Sequence, residues 1–269
     1  MYKYLKFFED LRLEDIPQVG GKNASLGEMY HYLSPKGVNL PNGVATTADA
    51  YRYFLREAGL NEKIEAALKG LDVTNMRELK KCGNKIRTMI VKAKLPKDFE
   101  DEILRAYREL STKCGHSKPD LTVAIRSSAT AEDLPNASFA GQQATFLNIK
   151  GEKHVLLATK ECIASLFTDR AIVYRVENGF NHMQVALSVG IQQMVAARSE
   201  CAGVMFTIDT ETGFKNAVVV SSIYGLGENI VQGHVSPDEF VVFKPTMAIL
   251  KRKLGGKKMK MVGVPGSKT

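Results

Sequence analysis

Residues Thr122 to Ile149 read TVAIRSSATAEDLPNASFAGQQATFLNI, and the rest of the chain can be placed around them. The apolar run Leu121 to Ile125 has the texture of a buried strand. It delivers Arg126, the hydroxyl residues Ser127, Ser128 and Thr130, the acidic pair Glu132 and Asp133, and a small-residue turn around Ala140 and Gly141. A second extended run, Ala144 to Ile149, follows, so the stretch reads as a hairpin. A cation at a strand end, next to a loop rich in backbone N–H groups, suits a polyanion such as a nucleotide phosphate. A merely solvated polar turn fits the same residues, because a single Gly141 is a weak signal.

The chain has 269 residues, enough for one large domain or two modest ones. With 44% hydrophobic and 25% charged residues, the composition is that of a soluble globular protein. No run approaches the ~20 apolar residues of a membrane span. The opening MYKYLKFFEDL turns acidic before a secretory leader core could form. Cys82, Cys114, Cys162 and Cys201 are widely spaced, with no CxxC pair and no Cys/His cluster. That pattern offers neither a zinc site nor a disulfide framework, and the expected compartment is cytoplasmic. The net charge of +8 is concentrated late: eight bases and no acid follow Glu239, so the body is neutral. The run KRKLGGKKMK reads as a nucleic-acid patch or as a solvated strand.

Upstream, VGGKNASLGEMYHYL (Val19 to Leu33) places Lys22 directly after the pair Gly20 and Gly21. Asn23 or Ser25 is a candidate cap for a helix with Leu26, Met29, Tyr30 and Leu33 on its apolar face. A lysine there can reach a phosphate beside free helix-start N–H groups, or simply face solvent. Thr46 with Asp49 reads as a second helix start, and Gly59 as its end. Apolar residues at spacings of three and four predict helices over 61–68, 76–93 and 98–110. Downstream, Lys153 to Phe167 and Thr168 to Asn178 read as two helices, with Arg170 and Arg175 on the surface.

From Val185 the chain becomes a series of short β-rich runs, with Glu211-Thr212-Gly213 as a hairpin tip. The expected organisation is a mixed lobe over 1–190 and a β-rich lobe over 191–269, with a nucleotide in the crevice between them. Gln192 to Val195 would cross that boundary as an extended segment able to meet an adenine edge, or as an ordinary buried strand. Gly225, Gly227 and Glu228 form a loop after a buried strand. The five histidines are scattered, without a nucleophile or metal set.

Taken together, GGKNASLGEM, PNGVATTADAY, AIRSSATAEDLPNASFAGQQATFLNI, ASLFTDRAIVYR, GVMFTIDTETGF and YGLGENIVQGHVSPDEFVVFKP resemble the N-terminal nucleotide-binding domain of the phosphoenolpyruvate synthase family. Pyruvate phosphate dikinase and the rifampicin phosphotransferases share a looser GGK, RSSA and GLGE pattern, while SFAGQQ and VSPDEF resemble the synthase. The resemblance implies an α+β, ATP-grasp-like fold whose two lobes clamp Mg-ATP. It implies transfer of the β,γ-diphosphate of ATP to a histidine on a swivelling phosphohistidine domain, with release of AMP. A third domain then phosphorylates pyruvate, a gluconeogenic reaction. By motif position, Lys22 and Arg126 are the implied catalytic cations. Gly141 and Gln142 would cover the phosphates, and Gln192 with the backbone of Met194 and Val195 would hold adenine. Gly227 and Glu228 would lie near the phosphate end.

The family's Asp-Ile-Glu and Gln-x-Arg-Pro metal motif has no counterpart before the closing GVPGSKT. No metal ligand is therefore expected in this chain, and the second lobe is expected to be incomplete. Two readings compete with the enzyme fragment: nucleic-acid binding through the basic tail, and an inactive scaffold. The neutral body and the lack of aromatics among the tail bases argue against the first.

Overall fold

The computed structural model describes residues 2–130, 133–134, 137–138, 144–195 and 201–262. It divides into two compact units, one ending at Met194 and the next beginning at Val195. Gly141 and Gln142 lie outside the described residues. No described helix is long and apolar enough to cross a membrane.

The first unit is an antiparallel sheet with helices packed on it, an α+β arrangement. Its strands are β1 (Leu5–Phe7), β2 (Gly43–Thr46), β3 (Thr122–Ala129), β6 (Thr145–Lys150) and β7 (Leu187–Gln193), in the order β1-β2-β7-β3-β6. Between β3 and β6 the two-residue strands β4 (Asp133–Leu134) and β5 (Ala137–Ser138) pair with each other. Its helices are α1 (Ile16–Leu33), α2 (Ala48–Glu57), α3 (Asn61–Leu68), α4 (Met76–Lys92), α5 (Lys97–Lys113), α6 (Glu152–Ala164) and α7 (Asp169–Glu177). The helices predicted over 61–68, 76–93 and 98–110 are α3, α4 and α5, whose apolar stripes (Leu79, Ile86 and Ile90 on α4; Phe99, Ile103 and Tyr107 on α5) are buried.

The sheet is two-faced because strand side chains alternate. Val123, Ile125 and Ala129 on β3 join Leu187, Val189 and Ile191 on β7 in the main hydrophobic core. The opposite face carries Ala124, Arg126 and Ser128 on β3, and Ser188, Gly190 and Gln192 on β7. Tyr107 sets the outer end of the β3–β6 pair. Its hydroxyl donates to the Leu121 carbonyl at 2.7 Å and accepts the Gly151 N–H at 3.0 Å.

Several local readings need correction. The strand expected to end at Ile125 runs on to Ala129, so Ser127 and Ser128 are buried strand residues rather than loop hydroxyls. Helix α1 begins at Ile16, not at the glycine pair, and is broken at Gly20 (φ 73°, ψ 164°). Asn23 is buried rather than capping, and the buried face consists of small residues such as Ala24 and Gly27, leaving Met29 exposed. Close approach is the reason: a methyl group on Gly27 would run into Leu11. Thr47, not Thr46, caps α2, accepting the Ala50 N–H at 3.1 Å, because the Thr46 hydroxyl is taken up by the Val189 N–H at 2.9 Å. Gly59 ends α2 as expected, with Leu60 N–H reaching the Leu55 carbonyl and Gly59 N–H that of Arg56. Arg175, expected at the surface, is fully buried.

The second unit is a four-stranded antiparallel sheet. It comprises β8 (Cys201–Phe206), β9 (Ala217–Tyr224), β10 (Asp238–Phe243) and β11 (Ala248–Lys253) in the order β11-β10-β9-β8, with the short helix α8 (Glu228–Val231) after β9. The expected tip at Glu211-Thr212-Gly213 joins β8 to β9; Asp209 organises it by accepting from Glu211 N–H at 3.0 Å and the Thr212 hydroxyl at 2.7 Å. Much of the basic tail is the exposed edge strand β11. There Lys253 stands opposite Glu239, Arg252 lies over the Phe240 ring, and beyond the strand Lys257 bonds Asp238.

Candidate functional site

The polar face of the first sheet is the surface on which α1 lies. At Gly20 the helix breaks and restarts, so Gly21, Lys22 and Asn23 occupy a new first turn, whose N–H groups have no carbonyl one turn earlier in the restarted helix to bond. Only glycine suits this break. The backbone angles lie outside ordinary L-residue territory, and a Cβ would strike the Ser128 hydroxyl and the carbonyls of Ser128 and Ala129.

From this turn the Lys22 ammonium reaches the Ser127 carbonyl, 3.5 Å away and 105 positions along the chain. The next residue back on β3 is Arg126, half-buried, whose Nη1 lies 3.4 Å from the Gln192 Oε1. Gln192 is held from its other end, with Nε2 donating to the Pro41 carbonyl at 3.3 Å. The fold therefore brings Lys22, Arg126 and Gln192 from three distant segments into one neighbourhood. Two fixed cations beside a fresh helix start form an anion-attracting surface.

Met194 follows β7. Its N–H donates to the Thr122 carbonyl at 3.0 Å, and its sulfur accepts the Asn148 N–H at 3.2 Å. Val195 is exposed.

In the second unit, Gly225 (φ 79°) meets Met261 in an isolated bridge, and a Cβ on it would collide with the Met261 backbone. Gly227 precedes α8, and Glu228 is the first residue of that helix rather than part of a plain loop. One oxygen of Glu228 accepts from Gln232 Nε2 at 2.9 Å, whereas Oε2 is buried without a hydrogen-bond partner among the described residues. An orphaned carboxylate oxygen is costly to bury and suits an incoming donor or cation. Among the described residues no group of three or more His, Cys, Asp or Glu side chains gathers around one point.

Sequence reasoning did not foresee that Ser128 and Ser188 line this face. Their hydroxyls were legible as part of an RSSA-type run or a strand, but not as groups turned towards α1.

Residues 16–269 match the family described as pyruvate phosphate dikinase, AMP/ATP-binding domain. The chain is 52% identical over 268 residues to the phosphoenolpyruvate synthase of Helicobacter pylori, covering 98% of this chain and 33% of that protein. It is 49% identical over 264 residues to the phosphoenolpyruvate synthase of Escherichia coli, covering 96% of this chain and 33% of that one. A probable phosphoenolpyruvate synthase of Staphylothermus marinus is 44% identical over 263 residues, covering 98% of this chain and 31% of that protein. The chain thus spans about a third of the length of the curated relatives it matches.

Proposed function

The chain belongs to the pyruvate phosphate dikinase AMP/ATP-binding domain family, and on that premise we propose that it is the ATP-binding part of a cytoplasmic phosphoenolpyruvate synthase. Mg-ATP is the substrate in this reading. The β,γ-diphosphate passes to a histidine on a separate domain and AMP leaves. Water removes one phosphate from the diphosphorylated histidine, and the remaining phosphoryl group passes to pyruvate. The balance is ATP, pyruvate and water to AMP, phosphoenolpyruvate and phosphate.

The observation that carries the reading is the meeting of Lys22 and Arg126 at neighbouring places on one sheet face. Phosphoryl transfer asks a protein chiefly for positioning and charge neutralisation. We assign Lys22 and Arg126 to the ATP phosphates. Gly141 and Gln142 are assigned to cover the phosphates, and Gln192, Met194 and Val195 to hold adenine. Because the Met194 N–H is engaged with Thr122, its assigned contact runs through the carbonyl. Gly227 and Glu228 are assigned to the phosphate end.

Calorimetric titration of Mg-ATP into the 269-residue chain tests the proposal. Saturable binding is expected, weakened roughly tenfold or more by Lys22→Ala and by Arg126→Ala, since each removes a charge-assisted contact. A folded chain that takes up no Mg-ATP would refute it. This chain alone is expected to give no pyruvate-dependent AMP, a result that AMP release on adding pyruvate would overturn.

A further inference from the structure

We propose that Asn23 is a positioning residue for the phosphate-facing cations. It fixes the restarted helix turn that carries Lys22 onto β3 and β7, and so keeps Lys22 in register with Arg126. The inference rests on the assignment of Lys22 to the phosphates.

The need for such a device follows from the surface beneath the turn. A small apolar cluster of Phe8, Leu11, Val19, Ala24 and Ala45 buries part of α1, but β3 and β7 meet the turn itself with Ser128, Ser188 and Gly190, which offer little apolar area to fix its register. The turn itself is two glycines and a lysine, and the glycines have no side chain to key it in place. Asn23, 2% exposed, supplies directional contacts instead. Its main-chain N–H donates to the Ser128 hydroxyl oxygen at 3.4 Å. Its Nδ2 donates to the Val19 carbonyl at 3.2 Å, bridging the break at Gly20, and to the Ser188 hydroxyl oxygen at 2.9 Å. The Ser188 hydroxyl in turn donates to the Thr46 carbonyl at 2.5 Å. One side chain therefore ties both sides of the helix break to β7 and, through it, to β2, while its backbone holds β3.

A further contact, made by the Asn23 Oδ1, links this network to the cations. A Cβ on Gly190 would meet the Asn23 Oδ1 at 2.5 Å, so the amide lies against bare backbone at that residue. Gly190 is the cross-strand partner of Arg126. The amide of residue 23 thus rests on the residue opposite one cation, and its own chain neighbour is the other. Both Nδ2 protons are donated and the Ser188 proton is committed to Thr46, so no carboxylate could take the place of this amide.

Asn23→Ala and Ser188→Ala, both uncharged, test the inference beside Lys22→Ala. Affinities for Mg-ATP and for AMP are measured by calorimetry on the full chain below its melting temperature, with thermal stability recorded for each variant. AMP keeps the α-phosphate but lacks the β- and γ-phosphates, so with Lys22 and Arg126 placed on those two the ratio of the two affinities reports their placement. Asn23→Ala is expected to lower the ATP-to-AMP affinity ratio roughly tenfold and Ser188→Ala about threefold, with AMP affinity within about twofold of the parent. If both variants melt earlier yet keep the parent's ratio while Lys22→Ala lowers it, Asn23 is only a fold crosslink. The inference is then overturned and the phosphate assignment stands. If Lys22→Ala also leaves the ratio unchanged, the phosphate assignment fails and the inference falls with it. Should Asn23→Ala not fold, Ser188→Ala alone decides by the same ratio.

Discussion

A buried arginine with no carboxylate beside it among the described residues must be satisfied by neutral groups, and Arg175 is held that way. Nη1 donates to the Leu166 carbonyl at 2.7 Å, Nε donates to the His182 Nδ1 at 2.9 Å, and the guanidinium lies over the Phe167 ring. Its Nη2 has no hydrogen-bond partner among the described residues. Burial lowers its pKa to about 10, still charged at neutral pH. Burial first, and then the Arg175 charge, lowers His182 to about 4. The folded value lies below the ordinary 6.5, so neutral His182 contributes stability above pH 6.5 that is lost as pH falls through about 4. After allowance for partial exposure this amounts to about 1–2 kcal/mol. An NMR titration should find the His182 midpoint near 4 in the parent and higher in Arg175→Met. In urea unfolding that substitution should cost about 2 kcal/mol, because the Leu166 carbonyl is left unpaired. The position was partly legible. Ala171, Ile172 and Arg175 share the three-and-four spacing of a buried stripe, but the residue type argued for solvent.

At the scale of elements, the apolar periodicity of α4 and α5 located both helices, because their cores are built from large side chains. It failed for α1, where contact is made through Ala24 and Gly27 and burial leaves no apolar stripe to read. The glycine pair was legible as a turn. That the turn interrupts a longer helix was not, since its cause is the distant backbone of Ser128 and Ala129. Gly20→Ala is expected to cost about 2–3 kcal/mol, read as a lowered melting temperature, because the backbone angle and the clash act together. Gly37→Ala is the matched comparison. Its φ of 83° is also unfavourable, but nothing lies within 4 Å of the added methyl, so the loss should be about 1 kcal/mol. Equal losses at the two sites would show that the close approach at Gly20 contributes nothing.

Across the whole molecule, buried hydrophobic residues are unevenly shared. The large core belongs to the first unit, whereas in the second only Ala217, Ile223, Leu226 and Val235 are buried hydrophobics among the described residues. Hydrogen exchange should accordingly be slowest in β3 and β7 and faster by orders of magnitude in β10 and β11, as local opening follows apolar contact. Equal protection in the two sheets would contradict this. The net charge of +8 also finds a physical place at this scale. Lys251, Arg252 and Lys253 on β11 discourage pairing of an exposed sheet edge with another chain. The family resemblance was legible because motifs such as GGKNASLGEM and YGLGENIVQGHVSPDEF occur in order along nearly the whole chain. What no motif disclosed is how β3 divides its labour. Its odd-numbered residues Val123, Ile125 and Ala129 enter the core, and its even-numbered Ala124, Arg126 and Ser128 lie on the opposite, polar face. A saturation library over β3 would therefore be expected to beat with a period of two. Tolerance at one position would be limited by the yield of folded protein and at the next by nucleotide affinity, so that a single strand records two separate selective pressures in alternating letters.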